Sequence, residues 1–123
     1  MKILKRIGII DIGSNSIRLV VFDGPKRSPL YLYNEKVFFR LGMQSFGKKA
    51  FDTATLRAVS RIINRFVAVC RNMEINKIIM FGTSALREAS NSNVLVELIR
   101  KKTNIGVDVI SGAVSYTHLR AHE

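Results

Sequence analysis

Apolar residues come first in short β-branched or aromatic blocks and then, beyond Phe51, at spacings of three and four, a change of period from strand to helix. Ile7 to Ile12 and Ile17 to Asp23 are two such blocks. The turn-forming cluster Gly13-Ser14-Asn15-Ser16 separates them and predicts a hairpin with Asp11 at the mouth of its turn. Gly24 to Pro29 reads as a loop, and Leu30 to Phe39 as a third strand, so the chain opens with an antiparallel meander. After the glycine-punctuated stretch Arg40 to Gly47, Asp52 caps a helix whose apolar positions are Leu56, Val59, Ile63, Phe66, Val67, Cys70 and Met73. Arg57, Arg61 and Arg65 line its other face. Asn76 to Gly82 predicts a buried strand, and Thr83-Ser84 a helix start. Ser92 to Lys102 predicts an amphipathic helix with Val94, Leu95, Leu98 and Ile99 inward, and Gly106 to Ile110 a last strand. The order β-β-β-α-β-α-β implies an α/β fold on a mixed five-stranded sheet, a meander extended by two strands through helical crossovers.

Composition narrows the class. At 123 residues, 47% apolar and 24% charged, the chain has the make-up of one globular domain and is too short for a two-domain enzyme with an interdomain cleft. Twenty Lys and Arg against nine Asp and Glu give +11, which favours polyanionic partners such as phosphates, nucleic acid or acidic lipid. The excess is spread, +7 over residues 1–51 and +4 over 52–112, so no basic tail accounts for it. A basic module that grips nucleic acid or another polyanion without chemistry is the alternative reading. The spread of charge and the lack of an aromatic stacking motif speak against nucleic acid. Cys70 is the only cysteine, which excludes a disulfide framework within the chain. The apolar run Ile7 to Ile10 ends at Asp11, too short for a signal peptide or a membrane span, and a cytoplasmic protein with no membrane partner is expected.

Two stretches carry chemistry. Asp11-Ile-Gly-Ser-Asn-Ser-Ile-Arg18 joins a carboxylate, a glycine, three small polar side chains and an arginine across one strand-turn-strand unit. Gly13 lets backbone amides approach an oxyanion, Ser14, Asn15 and Ser16 offer donors, and Asp11 suits a hydrated magnesium ion beside a phosphate. Gly, Ser and Asn are also what any tight turn uses, so composition alone leaves a plain hairpin open. The Gly-Lys-Ser/Thr ending of a Walker A loop is absent. Gly82-Thr-Ser-Ala-Leu-Arg-Glu88 places Thr83 and Ser84 at the end of a buried strand and the start of a helix, with Arg87 one turn on. There the alternative is that the two hydroxyls cap the helix and Arg87 is solvated. Convergence of both stretches near one end of the sheet makes phosphate binding the better reading.

Those two stretches, followed by Val107-Asp-Val-Ile-Ser-Gly112, resemble the N-terminal lobe of the exopolyphosphatase and guanosine pentaphosphate phosphohydrolase family, in order and spacing over residues 7–112. The resemblance implies a ribonuclease H-like lobe of the actin, Hsp70 and sugar kinase superfamily. It also implies a magnesium cofactor and a phosphatase acting on inorganic polyphosphate or guanosine pentaphosphate, with full-length members forming homodimers. By it, Gly13, Ser14, Asn15 and Ser16 form the first phosphate loop with Asp11 at the metal. By it too, Arg18 is a pocket residue and Arg87 a phosphate ligand, while Thr83 and Ser84 are phosphate-binding candidates from their own place at the helix start.

The family continues after its Ser-Gly with a Glu-Glu-Ala run carrying the catalytic glutamate, whereas this chain reads Ala113-Val114-Ser115. The family's second, glycine-rich phosphate loop is likewise absent. Residues 1–112 therefore read as an incomplete phosphatase lobe without its catalytic residue, expected to be inactive, and 113–123 as a foreign-looking tail. His118 and His122, four apart beside Glu123, do not match the His-Glu-x-x-His zinc pattern and read as solvated.

Overall fold

The computed structural model describes residues 6–23, 31–41 and 50–110. The loop over 24–29, most of the glycine-punctuated stretch, and everything from 111 onward, including the tail and its histidines, lie outside the described residues. Strands β1 (Ile7–Ile12), β2 (Ser16–Phe22) and β3 (Tyr31–Phe38) are followed by helix α1 (Thr53–Asn72) and strand β4 (Lys77–Gly82). Helices α2 (Ser84–Glu88) and α3 (Ser92–Thr103) and strand β5 (Val107–Val109) complete the order. The five strands form one sheet in the order β3-β2-β1-β4-β5. The meander β1-β2-β3 is antiparallel, while β4 and β5 join parallel to β1 and to each other. This is the mixed α/β lobe that the element order implies.

One face of the sheet carries the core. Alternation places Gly8, Ile10 and Ile12 of β1 on the same side as Ile17, Leu19 and Val21 of β2, and all of these are buried beneath the helices. α1 presents Val59, Ile63, Phe66, Val67 and Cys70 to that face. Its N-terminus is capped by Asp52, whose Oδ1 accepts the Thr55 N–H at 2.8 Å. α1 is also tied to the sheet edge by Arg65, whose two terminal nitrogens donate to the Glu35 carboxylate of β3 at 2.9 and 2.5 Å. Among the described residues no helix is long and apolar enough to cross a membrane.

Two helix faces differ from the expected ones. On α1, Thr55 and Ser60 are buried, whereas Leu56 and Met73 are only partly so. On α3, Val94 is 48% exposed, and the buried stripe runs Leu95, Ile99, Thr103 instead. Thr103 can join the buried stripe because it is locally satisfied. Its hydroxyl donates to the Ile99 carbonyl at 2.8 Å and accepts the Ile105 N–H at 3.2 Å, and its own carbonyl accepts from Arg71 of α1. A threonine so bonded can sit inside without an unpaired polar group.

Candidate functional site

Because β1 and β4 are parallel neighbours, their carboxyl ends lie side by side, with Ile12 opposite Gly82. The β1–β2 turn and the start of α2 therefore emerge together, where open α/β sheets place ligands. The turn is tight: the Gly13 N–H donates to the Ser16 carbonyl at 2.9 Å, and a Cβ at Gly13 would lie 3.2 Å from that same oxygen. β3 holds the turn from the far side, the Phe39 N–H donating to the Asn15 carbonyl at 3.0 Å. Opposite, Gly82 is where the chain doubles back over the sheet. A Cβ there would come within 2.0 Å of Leu86 Cδ1 and 2.9 Å of its Cγ, so only glycine lets α2 pack so close.

The two loops touch through their hydroxyls. Ser14 Oγ and Ser84 Oγ lie 2.8 Å apart across seventy residues of sequence. One hydroxyl donates to the other, so the pair as a unit keeps one O–H free to donate outward. Thr83, also at this junction, makes no side-chain bond to the helix it precedes, so its hydroxyl is not spent as a cap. α2 has only five residues, too few aligned peptides for a strong macrodipole. The polarity of this corner comes from its hydroxyls and amides.

Asp11 and Arg18 are direct partners in the β1–β2 register and stand on the sheet face opposite α1. Asp11 Oδ1 and Arg18 Nε are both buried, and neither has a hydrogen-bond partner. An acceptor and a donor held near one another and left unpaired are costly, and each calls for a complementary group. Burial pushes the Asp11 carboxyl above its ordinary range, and the Arg18 charge only partly offsets this. An oxygen ligand with an unused lone pair fits a magnesium ion, which takes one or two carboxylates and fills its remaining positions with water and phosphate oxygens. Among the described residues no cluster of three or more acidic, histidine or cysteine side chains provides a metal cage.

The structure thus joins Ser14 to Ser84 and faces Asp11 with Arg18. Asn15 is exposed, and Ser16 opens β2, opposite Phe38. Arg87 is exposed on α2; its backbone N–H donates to the Thr83 carbonyl at 3.2 Å, but its side chain makes no described hydrogen bond or ion pair with either loop. Asn91, which no motif above singles out, is structural. Its Oδ1 accepts the Phe51 N–H at 2.8 Å and its Nδ2 donates to the Phe51 carbonyl at 2.9 Å, latching the entry of α1 to the start of α3.

Comparison with known proteins places this geometry. The profile of the Ppx/GppA phosphatase family matches residues 20–114. Exopolyphosphatase 1 of Mycobacterium leprae is 29% identical over 113 residues, covering 87% of this chain and 32% of that protein. Among solved structures, an exopolyphosphatase from Cytophaga hutchinsonii superposes with a TM-score of 0.81 at 34% identity, over 89% of this chain and 35% of that one. The Aquifex aeolicus member of the Ppx/GppA family gives a TM-score of 0.79 at 20% identity, a likeness of fold. The chain spans about a third of the length of the relatives it matches.

Proposed function

The chain belongs to the Ppx/GppA phosphatase family, and from that premise we propose that its paired loops bind the terminal phosphates of inorganic polyphosphate or guanosine pentaphosphate for hydrolysis with magnesium. The observation that carries this reading is the 2.8 Å contact between Ser14 and Ser84, which makes two distant loops one polar corner. The free O–H of that pair and the backbone amides of the Gly13 turn donate to phosphate oxygens. Thr83 adds a hydroxyl, and Arg18 supplies positive charge from the neighbouring strand. Asp11, with its unused Oδ1, would hold the magnesium ion, which when bound neutralises phosphate charge and orients the phosphoryl group. Arg87, exposed on α2, reaches phosphate oxygens lying further from the sheet.

The test is a titration of the isotope-labelled 123-residue chain with tripolyphosphate and magnesium, followed by amide shifts. Residues 13–16 and 83–87 should move together, and Ser14→Ala should weaken both sets at once. Shifts confined to one loop, or none in either, would overturn the reading.

A further inference from the structure

α1 and α3 flank a groove that shares no residue with the loops. The groove, of about 410 Å³, opens between them, walled by Leu56 and Leu98 and flanked by Arg57, Arg61 and Lys102. By helical spacing Leu56 belongs to the buried stripe of α1, yet it is only partly buried, because the groove lies over it. Arg57 and Arg61 are four apart and project from successive turns. Among the described residues none of the three cations makes an ion pair, although Arg65, next in the same series, is engaged by Glu35. Ser60, also in the lining, is 2% exposed, and its Oγ has no hydrogen-bond partner.

Apolar walls, a cationic rim and one unsatisfied hydroxyl are complementary to a ligand with a ring and a phosphate chain, and the volume is that of an ordinary small-molecule pocket. We infer that this groove binds a nucleoside diphosphate or triphosphate, its base between Leu56 and Leu98, its phosphates on Arg57, Arg61 and Lys102, and one oxygen on the Ser60 hydroxyl. An inorganic polyphosphate chain would gain the charges but leave the leucine walls with nothing to cover. The chemistry of the groove therefore selects the ring-bearing ligand.

Titrating the same labelled chain separately with ADP, pyrophosphate and adenosine tests this. ADP should shift the amides of residues 56–61 and 98–102, pyrophosphate should do so at least about tenfold more weakly, and adenosine should leave them unmoved. Arg57→Gln with Arg61→Gln should weaken ADP binding at the groove by about a hundredfold, each guanidinium bond to phosphate contributing about tenfold. The shifts at residues 13–16 caused by tripolyphosphate should be unchanged in that variant. Ser60→Ala should weaken ADP severalfold while raising the melting temperature, because it removes the orphaned hydroxyl. Pyrophosphate binding the groove as well as ADP, or ADP acting only on the loop amides, would overturn the proposal. Failure at the loops with success at the groove would leave it standing and remove only the phosphatase reading.

Discussion

Gly8 lies beneath α1 at the point where a methyl group would meet a single obstacle. A Cβ built there would sit 2.8 Å from Cys70 Sγ, well inside the normal contact of about 3.5–4.0 Å. Its next neighbours, Ile75 Cγ2 and Ile78 Cγ1, stand at an unstrained 3.8 Å. Cys70 is fully buried and cannot swing aside. Gly8→Ala should therefore cost about 1–3 kcal/mol in overpacking, less about 0.4–1 kcal/mol regained from a stiffer unfolded chain. Cys70→Ala alone loses a buried group and leaves a small void, at about 1–2 kcal/mol. In the double variant the new methyl occupies the space the sulfur vacates, so the total should fall to about 0–1 kcal/mol, a coupling of roughly 1–3 kcal/mol.

Urea melts of the four proteins at one pH supply the cycle, and the thiol stays neutral throughout because burial pushes Cys70 up to about 11. In thermal melts each kcal/mol should appear as about 3–5 °C for a domain of 123 residues. Additive single effects, within about 0.5 kcal/mol, would refute the reasoning, since they would mean that the sulfur does not oppose Gly8 and that α1 packs on β1 elsewhere.

Asn91→Ala removes both bonds to the Phe51 backbone and should destabilise by about 1–3 kcal/mol, with faster hydrogen exchange at the first turn of α3 as the local signature. Asp11→Asn should raise stability at neutral pH. Burial lifts the native carboxyl above 3.8, so the native state binds the proton more tightly and wild-type stability falls as pH rises through that raised value. The advantage of Asn should vanish below 3.8, and equal melting curves at every pH would show that burial does not dominate at this site. The 123-residue chain should release no phosphate from long-chain polyphosphate with magnesium, a general base being worth about 10²–10⁴-fold. Release abolished by Asp11→Ala would refute this.

What was legible in the sequence follows from periodicity. The β-branched blocks and the 3.6-residue stripe of α1 mark five strands and two long helices nearly to their ends, because apolar spacing records which side of an element meets the core. What periodicity leaves out is how two elements meet. Val94 fits the stripe of α3 yet is exposed, while Thr103 is buried through bonds to Ile99, Ile105 and Arg71 that no local pattern encodes. Ser60 reads as a polar position beside the arginine face and is nonetheless buried. In the candidate site, Gly13, Ser14 and Thr83-Ser84 stood out by residue type. The unpaired state of Asp11 and Arg18 did not, because it depends on the β1–β2 register and on what burial denies them.

The arrangement of the site follows from one topological fact. An antiparallel β1–β2 pair and a parallel β1–β4 pair share β1, so the turn that ends β1 is flanked on one side by the strand carrying Arg18 and on the other by the helix start carrying Ser84. Hydroxyl donors therefore gather at the end of the sheet, while the carboxylate and guanidinium stand one step back on its open face. On the proposed reading a phosphate in the corner would be met by neutral donors first and by charge second. The carboxylate would repel a bare anion, but burial, which raises its affinity for a proton, also leaves it with an unspent oxygen for a cation. On that reading a divalent ion between Asp11 and the phosphate would resolve that conflict, which Arg18 leaves open because its Nε makes no bond to Asp11 even across the register. On the proposed reading, the two orphaned atoms that cost stability in the unliganded lobe are those that a magnesium-bound phosphate would satisfy, Asp11 Oδ1 through the ion and Arg18 Nε through a phosphate oxygen.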